Sequence, residues 1–544
     1  SEISFSAWNG ALKKLMGGNL RGFGNFINTT NNLFLYGSIY VSPGVRWTGT
    51  SKSFTFDYDS MPKVVFPEKM TLYCVSKRDT SYIYETKGVY YPSSLTFFGT
   101  GGTVTWERVG VPKKVSYAML NKYKINLRFS KYIADSVTYF NSKYFATAQK
   151  GRLEERIQAD VDSSSSSFPS FVSYDKRLKI NNISKDVDFD GGFAIKGSRF
   201  LAQGTAENRA KLIFKYQNKP TMELSAEHFS ITDSTMVSSD ASVVIRVKND
   251  SIYHPSLQFK YIKSVKLITL YRDKKTGLSR SPYYDTYHDV DIDVEWLRWR
   301  IDTPAVVMSA IIGSSTHEMD LESSNFYDES RFVALQGISD QHPLAQMKMF
   351  IDKRNNKQRD FNISDYVSYV HLDEFDVKNQ LILLANFGFI DIDFNSGRIV
   401  AKDKLYHYLY AKSKKEDYDN ISIHSDIADK PNATLFLTDS CDMIVRGVKK
   451  VMLSEGRKVY FQPMYGEIVL HKNRDMTFGG AIKSGMFEFF GKQFDFKYDE
   501  FKIEVLNADS VRMFAPTIDQ TVEGKVQMKR VESTIERSYG RIFI

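Results

Sequence analysis

Two-residue alternation of apolar and polar side chains recurs from one end of this chain to the other. It runs through "SFTFDYD" (residues 53–59), "TVTWERV" (103–109), "KINLRFS" (124–130), "KLIFKYQ" (211–217), "SVVIRVK" (242–248) and "FEFFGKQFDFKYDEFKIEV" (487–505). Alternation of this kind places one face of a strand on a core and the other in water, which is the requirement of antiparallel sheets and of stacked solenoid strands. Gly, Asn and Asp punctuate the runs, as tight turns demand. Aromatic residues make up 14% of the chain, with 32 Tyr and 39 Phe, and flat rings suit a pleated surface better than a helical enzyme core. A mainly β protein of stacked antiparallel or solenoid-like sheets is expected.

Short internal repeats point the same way. "GGFAIKGSRFLAQG" (191–204) and "GGAIKSGMFEFFG" (479–491) align with a single gap, and a second signature recurs as "ADSVTYF" (134–140), "NDSIYHP" (249–255) and "ADSVRMF" (508–514). Such units bury their faces on one another. The glycine-rich rhythm and the "ADSV" strands resemble the β-repeats of envelope proteins of the OstA and AsmA/TamB classes. That resemblance implies long strand stacks with an apolar groove for lipid. The stretch "SSNFYDESRFVALQGISDQHPL" (323–344), together with "KNRDMTFGGAIKSGMFEFFGKQFDFKYDEFKI" (472–503), is similar to large secreted or envelope β-repeat proteins of Bacteroidota, and this likeness implies no particular activity.

A length of 544 residues suggests three or four domains, or one long repetitive sheet. Five consecutive serines followed by "FPS" place a boundary near residue 165, and helical spacing replaces alternation from about residue 336 to 412. The resulting division is an N-terminal β domain (1–165), a central β-repeat domain (166–335), an inserted helical module (336–412) and a C-terminal β-repeat domain (413–544).

Within the module the segments 342–356, 362–370 and 373–389 each carry helical apolar spacing, with Asn362 or Ser364 available as a cap, and "IDIDFNSGRIVA" (390–401) reads as a hairpin with Asn395, Ser396 and Gly397 at its tip. Three helices and a two-stranded wing make a winged-helix-like module. Reading DNA would require cations at the start of the third helix. There the chain instead places Asp373, Glu374 and Asp376, and the wing adds Asp391 and Asp393 against Arg398. Nucleic acid is therefore not the expected partner; a spacer or protein contact is. The net charge of +9 is dispersed, and basic clusters such as "DKKTG" (273–277) and "KSKKED" (412–417) sit beside acids as solvated loops do.

Candidate chemistry is sparse. "YHDVDIDVEWLRWRID" (287–302) would align Asp289, Asp291, Asp293 and Glu295 on one strand face. Four carboxylates there are candidates for binding Ca²⁺ or for acid–base work on a glycoside. The alternative, which the pattern favours, is a solvent-facing row opposite Val290, Ile292, Val294 and Trp296, balanced by cross-strand cations such as Lys263, Lys266 or Arg272. Tyr283, Tyr284 and Tyr287, with Tyr90 and Tyr91, read as exposed rings that could stack on sugars. "DIDFNSG" (391–397) departs from a calcium loop in its glycine position, and position twelve is Lys402. The nine His show no zinc spacing, and His254 and His342, each before a Pro, read as lying at the start of an element. No nucleophile elbow or phosphate-binding glycine loop is present. Cys74 and Cys441 stand alone, and whether they pair is open.

The chain begins "SEISFSAWNG", which reads either as the start of a mature protein or as a segment cut from a longer one, and no apolar window is long enough for a membrane helix. No cofactor is expected. The reading that follows is a non-enzymatic structural or carrier protein of a bacterial envelope, extracytoplasmic, with other envelope proteins or its own copies as partners and lipid or glycan as candidate ligands. A carbohydrate-binding or carbohydrate-active protein and a virion structural protein are the alternatives.

Overall fold

The computed structural model describes residues 2–16, 20–77, 79–157, 162, 165–272, 278–310, 317–336, 341–394, 396–522 and 525–544. The basic cluster at 273–277 and the wing residue Asn395 lie outside them. The chain is mainly β, 53% strand and 18% helix, with a large antiparallel sheet of 36 strands. It divides into two compact units, residues 1–205 with 228–233, and residues 206–227 with 234–544. The boundary expected near residue 165 falls inside the first of these, and residues 163 and 164 lie outside the described residues.

The first unit opens with helices Glu2–Leu15 and Leu20–Tyr36, which lie against the short strands Thr55–Tyr58 and Ser38–Val41. Trp8 donates to Thr30 Oγ1 at 2.9 Å, and Phe26 meets Phe56 edge to face at 5.6 Å, so the helices cover apolar rings at one end of the ladder. Long strands Pro62–Ser76 and Asp79–Tyr91 follow. The second of them is continued by two short tracks, Thr96–Thr100 on one half and Thr103–Thr105 on the other, which rejoin on Lys131–Asn141. A run of rings fills the interior: Phe66, Phe97, Tyr123 and Tyr132 at 6.2 to 6.4 Å spacing, then Trp106, Tyr139, Phe171 and Phe193 at 4.4 to 6.1 Å. Part of the chain's high aromatic content thus fills this core.

The second unit repeats this plan on a larger scale. Strand Asp250–Ile262 branches into two ladders. One passes through Leu267–Tyr271, Trp296–Arg300, Ala305–Ser309, Ala433–Phe436, Met443–Val445 and Ile468–Leu470. The other passes through Tyr283–Asp285, Val290–Asp293, Glu318–Ser323, Ser422–Asp426, Val448–Ser454 and Val459–Pro463. Both end on Met476–Ser484.

The two glycine-rich repeats are both β-hairpins. Gly197-Ser198 and Gly485-Met486 form two-residue turns in which only the glycine has positive φ, 56° and 58°, the signature of a type II′ turn matching strand twist. Pairing across these turns sets Lys196 opposite Arg199 and Ser484 opposite Phe487, so the shared Ala-Ile-Lys is offset by one residue between the two hairpins. The "ADSV" signature marks a bulge at Ser136, φ 56°, and a register shift just before Ala508. "NDSIYHP" instead begins at a hairpin turn, so the three copies are not equivalent. "TVTWERV" is strand only to Thr105 and then turns as a short 3₁₀ helix, Glu107–Val109, because Trp106 must reach the core.

The helical module departs from and returns to neighbouring strands, Glu318–Ser323 and Ser422–Asp426, which pair directly. Insertion therefore leaves the ladder unbroken. Its order is helix Pro343–Lys353, strand Asp360–Asn362, helices Ile363–Val370 and Glu374–Asn386, then strands Ile390–Asp393 and Arg398–Ala401, a winged-helix arrangement flanked by helices Glu329–Gln336 and Asp403–Lys412. Asn362 and Asp373 cap their helices by accepting from the N–H groups of Ser364 and Phe375. The short strand at Phe361, too brief to show alternation, completes a three-stranded sheet separate from the large one.

Candidate functional site

The carboxylate row does not form one face of a continuous strand. The strand Val290–Asp293 ends before Val294, and Trp296–Arg300 starts a different ladder, because both Trp296 and Leu297 are buried and break the two-residue period. Asp289 precedes the strand with φ 62° and pairs with Arg474 Nη2 at 2.5 Å. Asp293 pairs with Arg272, one of the cross-strand cations expected from the sequence. Glu295 lies beyond the break, where its carbonyl accepts from the Arg272 N–H.

Asp291 is the informative member. Its carboxylate holds Lys404 Nζ at 2.6 Å, and Lys404 lies 3.7 Å from Glu322, which in turn takes a bidentate contact from Arg331 at 2.6 and 2.8 Å. Burial alone would lower the Lys404 ammonium, but Asp291 and Glu322 hold it above the ordinary lysine value. Burial alone would raise Glu322, and the two cations bring its carboxyl below the usual range. Lys404 sits on the inward face of helix Asp403–Lys412 with Leu405, Tyr408 and Ala411. The row thus supplies an ionic fastening for the inserted module. Among the described residues no group of three or more His, Cys, Asp or Glu is arranged to hold a metal ion.

The tyrosines expected to be exposed are buried. Tyr283, Tyr284 and Tyr287 retain 1%, 9% and 4% of their surface. Tyr283 packs on the His254 ring at 4.7 Å, Tyr284 Oη donates to the Ala385 carbonyl at 3.3 Å, and Tyr287 Oη donates to that of Ser440 at 2.8 Å. Later chain segments cover them, which a local sequence window cannot register. Tyr90 is fully buried, while Tyr91 is half-buried and donates to Asp59.

Residues that the sequence placed at the wing surround them. The Lys402 ammonium lies against the Tyr284 ring, close to Asp291 and Asp391, and burial pushes it down to about 7. A cleft of about 800 Å³ opens beside the wing, lined by Tyr253, Phe394, Asp240, Asp391, Asp393 and Arg398 among others. Asp393 faces Arg209 Nη2 at 3.5 Å, and Arg398 clasps Asp360 instead of standing free at the wing. The wing is therefore laid on the sheet. On the third helix Lys378 pairs with Glu374 at 2.7 Å, leaving an outer face of Leu372, Phe375 and Leu383 beside exposed Asp373, Glu374 and Asp376.

Three Asp–His pairs are present among the described residues; one of them, His424 with Asp320 at 2.7 Å, lies exposed across two paired strands. Buried His288 bridges Asp285 Oδ2 at 2.6 Å and the Cys441 carbonyl at 3.0 Å. His471 bridges Asp442 at 2.7 Å and Thr477 Oγ1 at 2.9 Å, but the threonine hydroxyl donates its own proton to Asp495 at 2.8 Å. A hydroxyl so engaged is a strap between strands, not a nucleophile aimed at a base. His254 lies inside strand Asp250–Ile262, whereas His342 caps its helix as expected. Both cysteines are buried free thiols.

The second unit ends in a long hairpin, strands Lys502–Val522 and Lys525–Phe543, of 21 and 19 residues, whose first strand also pairs with Phe487–Lys497 as far as Met513. At about 3.3 Å per residue this ribbon is some 60 Å long. From residue 528 to 544 no side chain is buried. Comparisons with family models, curated proteins and solved structures gave no match for this chain. No helix among the described residues is long and apolar enough to cross a membrane.

Proposed function

We propose that this chain is a non-enzymatic structural subunit of a bacterial envelope assembly, acting outside the cytoplasm. The observation that carries this reading is the C-terminal ribbon. Beyond Met513, where pairing with strand Phe487–Lys497 stops, the ribbon is two-stranded, and a two-stranded ribbon is marginally stable alone and gains order from something laid against it. Further support comes from the fate of the polar groups. The carboxylates and histidines with catalytic or metal-binding geometry in the sequence are engaged in pairs that fasten strands and module together. The ring-filled interior of the first unit favours the scaffold role over a lipid carrier, since the space a lipid chain would occupy holds side chains.

A second reading, glycan binding, draws on the cleft beside the wing, where Tyr253 and Phe394 stand with Asp240, Asp391 and Asp393. Native mass spectrometry of the protein purified gently from its own source separates the two. A stoichiometric protein or further copies of this chain, with no small ligand, is the expected result. A monomer carrying a sugar or a lipid would overturn the structural reading in favour of the corresponding ligand role.

A further inference from the structure

Two unpartnered apolar surfaces on this chain carry opposite charge. The first is the outer face of helix Glu374–Asn386. Phe375 and Leu383, two turns apart, are 70% and 43% exposed there, and Leu372, 51% exposed, stands just before the Asp373 cap. Exposed Asp373, Glu374 and Asp376 border it. The second is one face of the ribbon's base, where cross-strand pairing lines up Phe487 with Met513, and Phe489 with Val511 and Ile535. Phe487, Met513 and Ile535 are 37%, 38% and 56% exposed. On the outermost strand, Lys525–Phe543, Lys529 lies opposite Ala515 and so on the same side as Met513, and over residues 528–543 Lys529, Arg530, Arg537 and Arg541 stand against Glu532 and Glu536, a net charge of 4 − 2 = +2.

Edge-to-edge pairing of ribbons is the other obvious use of a bare strand, and the backbone argues against it. Residues 531–533 oppose Met513 alone in a wide irregularity, and Arg537 has φ 54°. Such bulges are how edges are blunted against strand addition. The ribbon's faces, not its edge, remain available.

We infer that the basic apolar face of the ribbon in one copy docks on the acidic apolar face of the module's third helix in a second copy of this chain. This deepens the structural reading and rests on it. Because the two surfaces differ, the contact is head-to-tail, and repeated contacts close into a ring or extend as a filament. The carboxylates at the helix start, which oppose DNA phosphates, instead attract Lys529 and Arg537.

The test uses the full chain with two variants, E374K/D376K on the helix and K529E/R537E on the ribbon, followed by sedimentation and light scattering over a range of concentration and salt. Wild type should show mass rising with concentration and falling with salt. Each variant alone should be monomeric, and an equimolar mixture should recover assembly, since every contact then joins opposite charges. F375S, at a side chain 70% exposed, should give the same monomer without touching a charge. A wild type that stays monomeric at all concentrations would overturn the inference. So would assembly by either variant alone, or a mixture that fails to recover while each variant is monomeric. In those cases, a different stoichiometric protein bound in material from the native source would leave the structural reading standing, whereas a monomer with a small ligand would end both.

Discussion

Asp291 shows how one residue can satisfy a sequence pattern and serve a different end. Its carboxylate is one of the four that suggested calcium, but its partner is an ammonium from a helix 113 positions later. Breaking a buried pair by removing one member typically costs about 3–5 kcal/mol, because the remaining charge is left without compensation. Asp291→Ala should therefore lower the melting temperature equally with calcium and with chelator; a loss confined to calcium-loaded protein would revive the metal reading. Glu155 offers a pH test in the first unit. Burial raises its carboxyl from 4.5 to about 7 although Arg108 bonds it. A folded value above the unfolded one means the native state holds the proton more tightly, so this contribution is full below about 4.5 and is lost as pH rises to 7. The change amounts to about 3 kcal/mol. Melting temperature should fall between pH 5 and 7.5, and Glu155→Gln should flatten that slope. Equal slopes in both proteins would show that another group governs the range.

At the scale of elements, the two hairpins built on the same repeat make a paired prediction. A Cβ at Gly197 would fall 2.0 Å from the Ser166 carbonyl oxygen, whereas one at Gly485 would meet nothing within 4 Å. Both glycines have positive φ at the first position of a type II′ turn, which costs an L-residue at least about 1–2 kcal/mol. Gly485→Ala should cost about that much, and Gly197→Ala clearly more, read as denaturation midpoints; equal losses would mean that the backbone at Ser166 yields freely. The same elements show what local sequence carries. Strand alternation, the turn glycines, the three helices and the cap at Asn362 were legible, because each depends on neighbours within a few residues. The tyrosines around Tyr284 were misjudged, since exposure depends on segments more than a hundred residues away that arrive to cover them. Lys404 did leave a local sign. A lysine on the apolar face of a helix, in line with Tyr408 and Ala411, asks for a buried anion, though not for a particular one. The branching of long strands into two ladders had no sequence signal beyond bulge residues such as Ser136 and could be seen only in the assembled sheet.

For the whole molecule the contrast lies between the two ends of the strand succession. At its start, short strands are covered by helices with Phe26 and Trp8 wedged between. At its finish, the ribbon has no such cover among the described residues, and the exposure of Met513, Met528 and Ile535 is the kind of apolar surface that marks an interface. A part of the fold with so little buried surface contributes little to folding stability. Replacing residues 514–532 by an Asn-Gly turn should join Met513 to Ser533 in a two-residue hairpin, preserving the pairing of Arg512 with Thr534 below it. The melting temperature of that chain should change by no more than about 2 °C, the scale of a surface substitution in a protein this large. Amide exchange in the intact ribbon should be fast in dilute protein and slow at concentrations where copies associate. A fall of ten degrees or more on shortening, or slow exchange at every dilution, would make the ribbon an integral part of the folded unit rather than a surface kept for a partner.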